Sequence, residues 1–430
     1  MKKIYYITAV FATLFLVGCG DGIDLPGVNV ETDLNKIPLP DNNVNLEQVE
    51  LKPSTEPMLH EGLHTEEDFQ RIRDKKAAGE EPWISAYQLL VESQFSQKTA
   101  DTYPTEWIKR GVSGDENYMN AARGATIAYQ QALRWKIEQD DEYAAKAVEN
   151  LNKWVQTCVG VTGNTNLSLA AGLYGYEFAI AGELLRDYGG WDRADFAAFQ
   201  NWLLKVFYPA NDDFLKRHHD TNALHYWANW CLCNIAAKMA IGIVTDRRDI
   251  YNEGIAHLQT GDTNGRLRRA IYHDYAPDYN FAQWQESGRD QGHTLMCVGL
   301  MGIICQLAWS QGDDFFAYDD NLFLRACEYA ACCNYTNETV PYTTYIWQKQ
   351  SQWGYPIPEE QTLGGGKWIK RAIWALPYYH YKGIKNISDD NLKYTKIATE
   401  YVGIEGGGGY YDANSGGYDV LGLGTLMYAQ

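Results

Sequence analysis

The stretch Gln283–Thr294, "QWQESGRDQGHT", places Glu286, Arg289, Asp290 and His293 within eight residues. A long apolar run follows, so this charged group stands at the start of a helix bound for the interior. Ser287, with Asp290 three residues on, has the form of a capping box and predicts a helix start near Gly288. Arg289 and His293 then fall four apart on one face of the first two turns. The positive end of the helix dipole at that point favours a bound anion and disfavours a protonated imidazole. An arginine aimed at a carboxylate beside a neutral imidazole makes an acid–base site. The competing reading is a salt-bridged helix start in which Glu286 and Asp290 pair with Arg289.

A second stretch has the same plan. "RHHDTNALHYWANW" also precedes a buried helix, with Asp220 or Thr221 expected as N-cap. Asn222, His225 and Asn229 fall at i, i+3 and i+7 on one stripe, with Trp227 beside them. If both helices are inner helices of a ring, their starts share a rim. Two helix starts would then jointly present asparagine, histidine, arginine and aromatic groups.

Such a set suits β-elimination in a 4-linked uronic acid polymer. Arginine, asparagine or a protonated histidine binds the sugar carboxylate and stabilises the enolate-like transition state. A histidine or tyrosine removes the C5 proton, and a tyrosine or histidine protonates the departing O4. Tyrosines expected near the site are plentiful: Tyr226, Tyr272, Tyr275, Tyr279, Tyr342 and Tyr345. Tyr279, in the loop feeding the arginine helix, is the expected acid. Gln285, Glu286, Trp227, Tyr342 and Tyr345 are expected to contact the rest of the substrate. Nothing in this chemistry requires a cofactor or metal, and Cys231-x-Cys233 and Cys332-Cys333 lack zinc-ligand spacing.

The elements that must position these groups are helical hairpins. From about residue 61 to 401 the dominant pattern is helical, broken by short polar turns. "NYMNAARGATIAYQQALRWKI" pairs with "EYAAKAVENLNKWVQTCV". "LSLAAGLYGYEFAIAGELLRDY" pairs with "RADFAAFQNWLLKVF". "NALHYWANWCLCNIAAKMAIGIV" pairs with "RDIYNEGIAHLQT", and "DQGHTLMCVGLMGIICQLAWSQG" with "NLFLRACEYAACCNY". The first member of each pair is apolar nearly all round and the second is amphipathic, so inner and outer helices alternate. This predicts an all-α fold, an α/α toroid built as an incomplete barrel of hairpins. The glycine-rich segment from Gly403 reads as loops or a short strand folded back over the ring.

The remaining sequence bounds the setting. "MKKIYYITAVFATLFLVGC" has basic residues, an apolar stretch and small residues before Cys19, the pattern of a bacterial lipoprotein signal. Residues 1–18 are therefore expected to be a signal peptide, Cys19 the lipidated residue, 19–57 a flexible tether, and 58–430 one catalytic domain. That places the protein outside the cytoplasm, lipid-anchored in the periplasm or on the outer-membrane surface of a Gram-negative bacterium. A formal charge of −18 argues against a nucleic-acid partner, and an anionic substrate needs a local cationic pocket.

Over most of the mature chain the sequence resembles the alginate lyase-like polysaccharide lyases. The resemblance rests on "AGLYGYEFAIAGELLRDYGGW", "HYWANWCLCNIAAKMAIGI", "WQESGRDQGHT", "AWSQGDDFFAYDDNLFLRACEYAA" and "NSGGYDVLGLGTLMY". It implies an α/α toroid that acts on an anionic polysaccharide, alginate foremost, through an Asn/His/Arg/Tyr set without a cofactor. His225 and Asn229 match the family's Asn/His helix, and Arg289 with His293 its arginine helix. Where that family has adjacent Asn-Asn-His, this chain reads "TNALH", so which asparagine meets the carboxylate stays open. Two rivals compete with a lyase. A glycoside hydrolase would need paired carboxylates, Glu286 with Asp115 or Asp220, and a tethered glycan-binding lipoprotein would need no catalysis.

Overall fold

The computed structural model describes residues 49–102, 104–347, 355–357, 367–409 and 418–430. The signal segment, Cys19 and the tether up to residue 48 lie outside the described residues. In order, the chain forms α1 (Glu66–Ala78), α2 (Trp83–Glu92), β1 (Trp107–Arg110), α3 (Tyr118–Glu138), α4 (Asp141–Thr157), β2 (Gly160–Gly163), α5 (Leu167–Leu184), α6 (Arg193–Val206) and α7 (Tyr208–Arg217). There follow α8 (Ala228–Val244), α9 (Arg248–Thr260), α10 (Leu267–Ala270), β3 (Ile271–Asp274), β4 (Ala282–Trp284), α11 (Gln291–Ser310) and α12 (Tyr318–Tyr335). The last elements are β5 (Tyr345–Trp347), β6 (Tyr355–Ile357), α13 (Ala375–Tyr379), α14 (Lys393–Val402) and α15 (Gly424–Tyr428).

The expected alternation is present. Every residue of α8 is buried, as is nearly every residue of α5 and α11, whereas α4, α6 and α9 bury one face. α11 is long and apolar enough to cross a membrane, but it is buried among the other helices as a core element. α5 packs between α3 and α8, and α8 packs against α11. β1 leads into α3 and β2 into α5, and the two strands pair in parallel, which sets those helix starts side by side. Inner helices that run the same way put their first turns at one rim, and the outer helices return the chain. The result is an α/α toroid.

Small residues let the inner helices approach closely. A Cβ on Gly172 of α5 would lie 2.5 Å from Cys233 Sγ and 2.9 Å from the Cys233 carbonyl carbon on α8. Cys231, Cys233, Cys297, Cys305 and Cys327 are buried in the inner and outer helices and fill space as small apolar side chains.

Three features depart from the sequence expectation. α7 is an additional outer helix, begun with proline in its first turn. Residues 49–57, expected to be tether, are fastened to α9: Gln259 Nε2 donates to the Val49 carbonyl, Asn252 Nδ2 to Lys52 and Arg248 Nη2 to Pro57. Composition cannot reveal that distant side chains will take a segment's backbone carbonyls. The C-terminal segment, expected as loops or a strand, includes α15 and an isolated bridge between Gly407 and Gly422. It fills the space between the last and first parts of the ring, because α15 packs on α1, α2 and α13.

Glu405 ties that closure together. Its Oε1 accepts from the Trp374 and Ala375 N–H groups at 2.7 and 2.9 Å, and its own N–H donates to Thr425 Oγ1 at 2.9 Å. A side chain at Gly424 would put its Cβ 2.3 Å from Glu405 Oε2, so the glycine admits the carboxyl. Burial pushes the Glu405 carboxyl up to about 7 against the pull of the two N–H donors. The folded chain thus keeps a proton that the unfolded chain releases near 4.5. The stability from this group is full below that pH and is lost as pH rises through about 7, a loss of up to about 3 kcal/mol. Glu405→Gln cannot ionise, so its urea midpoint should fall less than that of the unaltered protein between about pH 5 and 8. Parallel pH curves for the two proteins would contradict this reading.

Candidate active site

The β3–β4 hairpin delivers the chain to the rim. After Trp284 the backbone makes one 3-10 turn, Gln285–Gly288, and α11 begins at Gln291. The N-cap is Asp290, not Ser287 as the capping-box pattern predicted. Asp290 takes an extended conformation (φ −169°, ψ 161°), and its Oδ1 accepts from the His293 N–H at 2.8 Å. Arg289 therefore precedes the helix, and only His293 lies on its first turn. Asp290 Oδ2 lies 2.7 Å from His293 Nδ1, so one carboxylate caps the helix and orients the imidazole. Burial would push the Asp290 carboxyl up, but His293 and Arg289 hold it well below the usual carboxylate range.

The other helix start also differs from expectation. α8 begins at Ala228, with Trp227 as N-cap, and Asp220 and Thr221 belong to an earlier turn. Asn222 and His225 are thus in a loop and share no helical stripe with Asn229. Asn222 Oδ1 accepts from the Leu224 N–H at 3.0 Å, and the Asn222 carbonyl accepts from the His225 N–H at 2.9 Å. This local turn competes successfully with helix formation. Asn264 fixes the loop from outside, donating to the carbonyls of Leu224 and Tyr226 at 3.0 and 2.9 Å. The His225 ring stands edge-on to Tyr226 with centroids 4.9 Å apart. Asn229 is buried, with its Oδ1 accepting from Trp230 N–H at 2.9 Å and its Nδ2 turned to Met296 Sδ at 3.4 Å.

Trp227 has no capping side chain, so the first N–H groups of α8 need acceptors from elsewhere. Gln285 Oε1 accepts from Ala228 N–H at 2.9 Å, and Glu286 Oε1 accepts from Asn229 N–H at 3.3 Å. Gln285 and Glu286 are fully buried and engaged with α8, which corrects the expectation that they contact substrate. Burial pushes the Glu286 carboxyl up, while Arg289 and His293 draw it back. Arg289 Nη1 lies 3.3 Å from Glu286 Oε2 and its Nε 3.8 Å from Asp290 Oδ2. Its guanidinium sits 5.0 Å above the Trp227 ring. One pair of side chains thus joins Arg289 and His293 to Trp227 and the His225 loop.

The tyrosines sort by position. Tyr279 is 54% exposed on the turn at the tip of the β3–β4 hairpin, and its N–H donates to the Tyr275 carbonyl at 3.1 Å. The chain enters the cluster from the opposite end, where Ile271 pairs with Trp284. No hydrogen bond or ring contact among the described residues joins Tyr279 to Arg289 or His293, so the expected acid is not brought to the site. Tyr345 is: its ring lies 5.9 Å from Trp227 and 5.0 Å from Tyr272, and its hydroxyl donates to Asn264 Oδ1 at 3.4 Å. Burial pushes the Tyr345 hydroxyl well above its ordinary value. Tyr342 is half-buried just before β5, in a stretch pinned to β4 because Gln283 and Thr343 exchange hydrogen bonds at 2.8 Å.

The two-carboxylate alternative has no geometric support. Asp115 is exposed and paired with Lys109 at 2.6 Å, and Asp220 is exposed and paired with Arg217 at 2.7 Å. Among the described residues no group of three His, Cys, Asp or Glu side chains is arranged to hold a metal ion. Sequence reasoning missed Asn264 and the orienting role of Asp290. The second was readable, since Asp290-x-x-His293 places a capping carboxylate three residues before an imidazole.

The ring of hairpins is an α/α toroid, and the family to which the chain belongs makes it a polysaccharide lyase. Among solved structures, a histidine-to-alanine form of alginate lyase A1-III complexed with tetrasaccharide is similar with TM-score 0.57 at 12% identity, over 86% of this chain and 95% of that one. Alginate lyase A1-III from Sphingomonas species A1 is similar with TM-score 0.53 at 12% identity, over the same shares. A comparison with curated proteins found no match. The Alginate lyase family matches residues 73–338, and the chain belongs to that family.

Replacing Asp290 by Asn puts an amide donor where Nδ1 now meets an acceptor, which disfavours the present tautomer. Turnover should fall about 100-fold or more. With the facing Asp290 carboxylate gone, the imidazole gives up its proton more readily, so the acid limb of kcat should move to lower pH. An unmoved limb would remove His293 from proton transfer.

Proposed function

We propose that the protein cleaves a 4-linked polyuronate, alginate foremost, by β-elimination. The observation that carries this reading is the capping of α8 by Gln285 and Glu286. It supports a shared site for an arginine, two histidines and an aromatic wall at one rim. Arg289, stacked on Trp227, offsets the negative charge of the sugar carboxylate and so acidifies the C5 proton. His293, with Asp290 behind it, accepts that proton through the ring nitrogen that faces away from Asp290. Electrons of the C5–H bond form the C4–C5 double bond as the C4–O4 bond breaks. Tyr345, whose buried hydroxyl keeps its proton at neutral pH, is the proposed donor to O4. His225 and Asn222, in the loop beside Trp227, are proposed to contact the sugar.

Alginate is put first because the matched family carries that description and the similar structures include alginate lyases. The export reading belongs to the same proposal: lipidation of Cys19 would tether the toroid where polysaccharide arrives. The test is a panel of mannuronate and guluronate blocks, glucuronan, hyaluronan and pectate, followed by the ultraviolet absorbance of the new double bond and repeated with chelator. Turnover of at least one polymer, insensitive to chelator, is expected. Saturated products would instead mean a hydrolase, and binding without cleavage a glycan-binding protein. Arg289→Ala should abolish turnover while leaving the circular dichroism spectrum unchanged, and an unaltered kcat/KM would remove it from the mechanism.

A further inference from the structure

The first turn of α11 is gripped from behind by residues far along the chain. Arg371 is among the largest fully buried side chains, and its Nη1 donates to the Gly292 carbonyl at 2.7 Å. Its Nη2 lies 3.1 Å from Asp419 Oδ2, and both side chains are fully buried. Asp419 is in turn tied to α5, because the Tyr176 hydroxyl donates to its carbonyl at 2.7 Å. One residue earlier, Gln291 Oε1 accepts from Asn334 Nδ2 at 2.6 Å, and the Asn334 carbonyl accepts from the Trp368 N–H at 3.1 Å. Two successive residues of the turn that carries His293 are thus clamped by the segment around Trp368–Arg371, and that segment by the C-terminal one.

We propose that Arg371 is a positioning residue: by bridging the Gly292 carbonyl to Asp419 it makes the C-terminal segment a working part of the active site, setting where His293 points. The proposal rests on the β-elimination reading for its kinetics but not for its geometry. Arg371 is too deeply buried to meet a sugar, so its effect must pass through the backbone of Gly292. A helix carbonyl in the first turn already has an intrahelical partner. A charged donor added to it strengthens its hold in one direction. Burial and the nearby Asp419 push the Glu177 carboxyl well above its ordinary value.

A displacement of under an ångström at an imidazole costs catalysis far more than binding. The kinetic signature is therefore a fall in kcat with little change in KM. Removing Arg371 alone would take a cation from beside a buried carboxylate, so the informative protein is the double variant Arg371→Met, Asp419→Asn. Its kcat should fall about 10- to 100-fold with KM little altered. Arg371→Lys, which can satisfy one partner but not both, should lie between the two. A proton NMR spectrum of the substrate-free protein reports the geometry directly. The imidazole Nδ1 proton between His293 and Asp290 should give a downfield signal in the unaltered protein that is lost or broadened in the double variant.

A double variant with an unaltered spectrum and kcat overturns the proposal, as does a loss confined to KM. If the double variant does not fold, Arg371→Lys alone decides: unaltered kcat and imidazole signal overturn the brace, and a fall in both supports it. If the unaltered protein cleaves no polyuronate, the proposed activity falls, and the imidazole signal by itself decides the brace.

Discussion

Everything at the rim depends on how the start of α8 is capped. A helix leaves its first N–H groups without intrahelical partners, and Trp227 at the cap position offers no side-chain acceptor. Buried donors without acceptors are costly, at about 1–3 kcal/mol each. Gln285 and Glu286 supply the acceptors from the turn before α11. Two helix starts that are about 60 residues apart in the chain are thereby locked at one distance. Glu286 pays for its own burial by three means: the positive end of α8, the Arg289 guanidinium, and hydrogen bonding to Asn229. Its carboxyl and the Trp227 ring together fix Arg289, the cation proposed to meet the sugar carboxylate.

This arrangement would reconcile a strongly acidic protein with the proposed anionic substrate. Net charge acts at long range and is screened over about 8 Å at physiological ionic strength, whereas a contact inside a cleft is not. Arg289 between two carboxylates and a tryptophan face is held in one orientation instead of sampling many. A preoriented cation loses little on meeting a carboxylate, which is the role proposed for it. The same economy governs Asp290, which caps α11 and orients His293 with one side chain. A carboxylate with both tasks cannot be exchanged without disturbing helix and imidazole together.

The architecture was legible because it follows from periodicity. α3, α5, α8 and α11 are apolar around most of their circumference and their partners are not, and that contrast survives in any reading of the sequence. The sharing of a rim by Arg289, His293, Trp227 and His225 followed from the same alternation. What was not legible was local. The Ser287/Asp290 pair satisfies a capping-box pattern, yet the chain caps with Asp290 because a 3-10 turn consumes Gln285–Gly288 first. Asn222 and His225 match a helical stripe, but the Asn222 side chain closes its own turn, and α8 waits until Ala228. Gln285 and Glu286 look like substrate contacts until the uncapped helix beside them is known. Tyr279 is near Arg289 along the chain but at the far end of a hairpin from it. None of these outcomes is encoded in spacing alone, since each depends on a partner from another part of the chain.

The central claim is that the locked pair of helix starts presents Arg289 and His293 to one sugar acid. The most direct measurement is a crystal structure of a slow variant, Tyr345→Phe, with an oligouronate bound. The account requires the carboxylate of one sugar within about 3 Å of the Arg289 guanidinium and the C5 hydrogen of that sugar facing the His293 ring. An oligouronate seated elsewhere on the toroid, or with its carboxylates turned from Arg289, would contradict it.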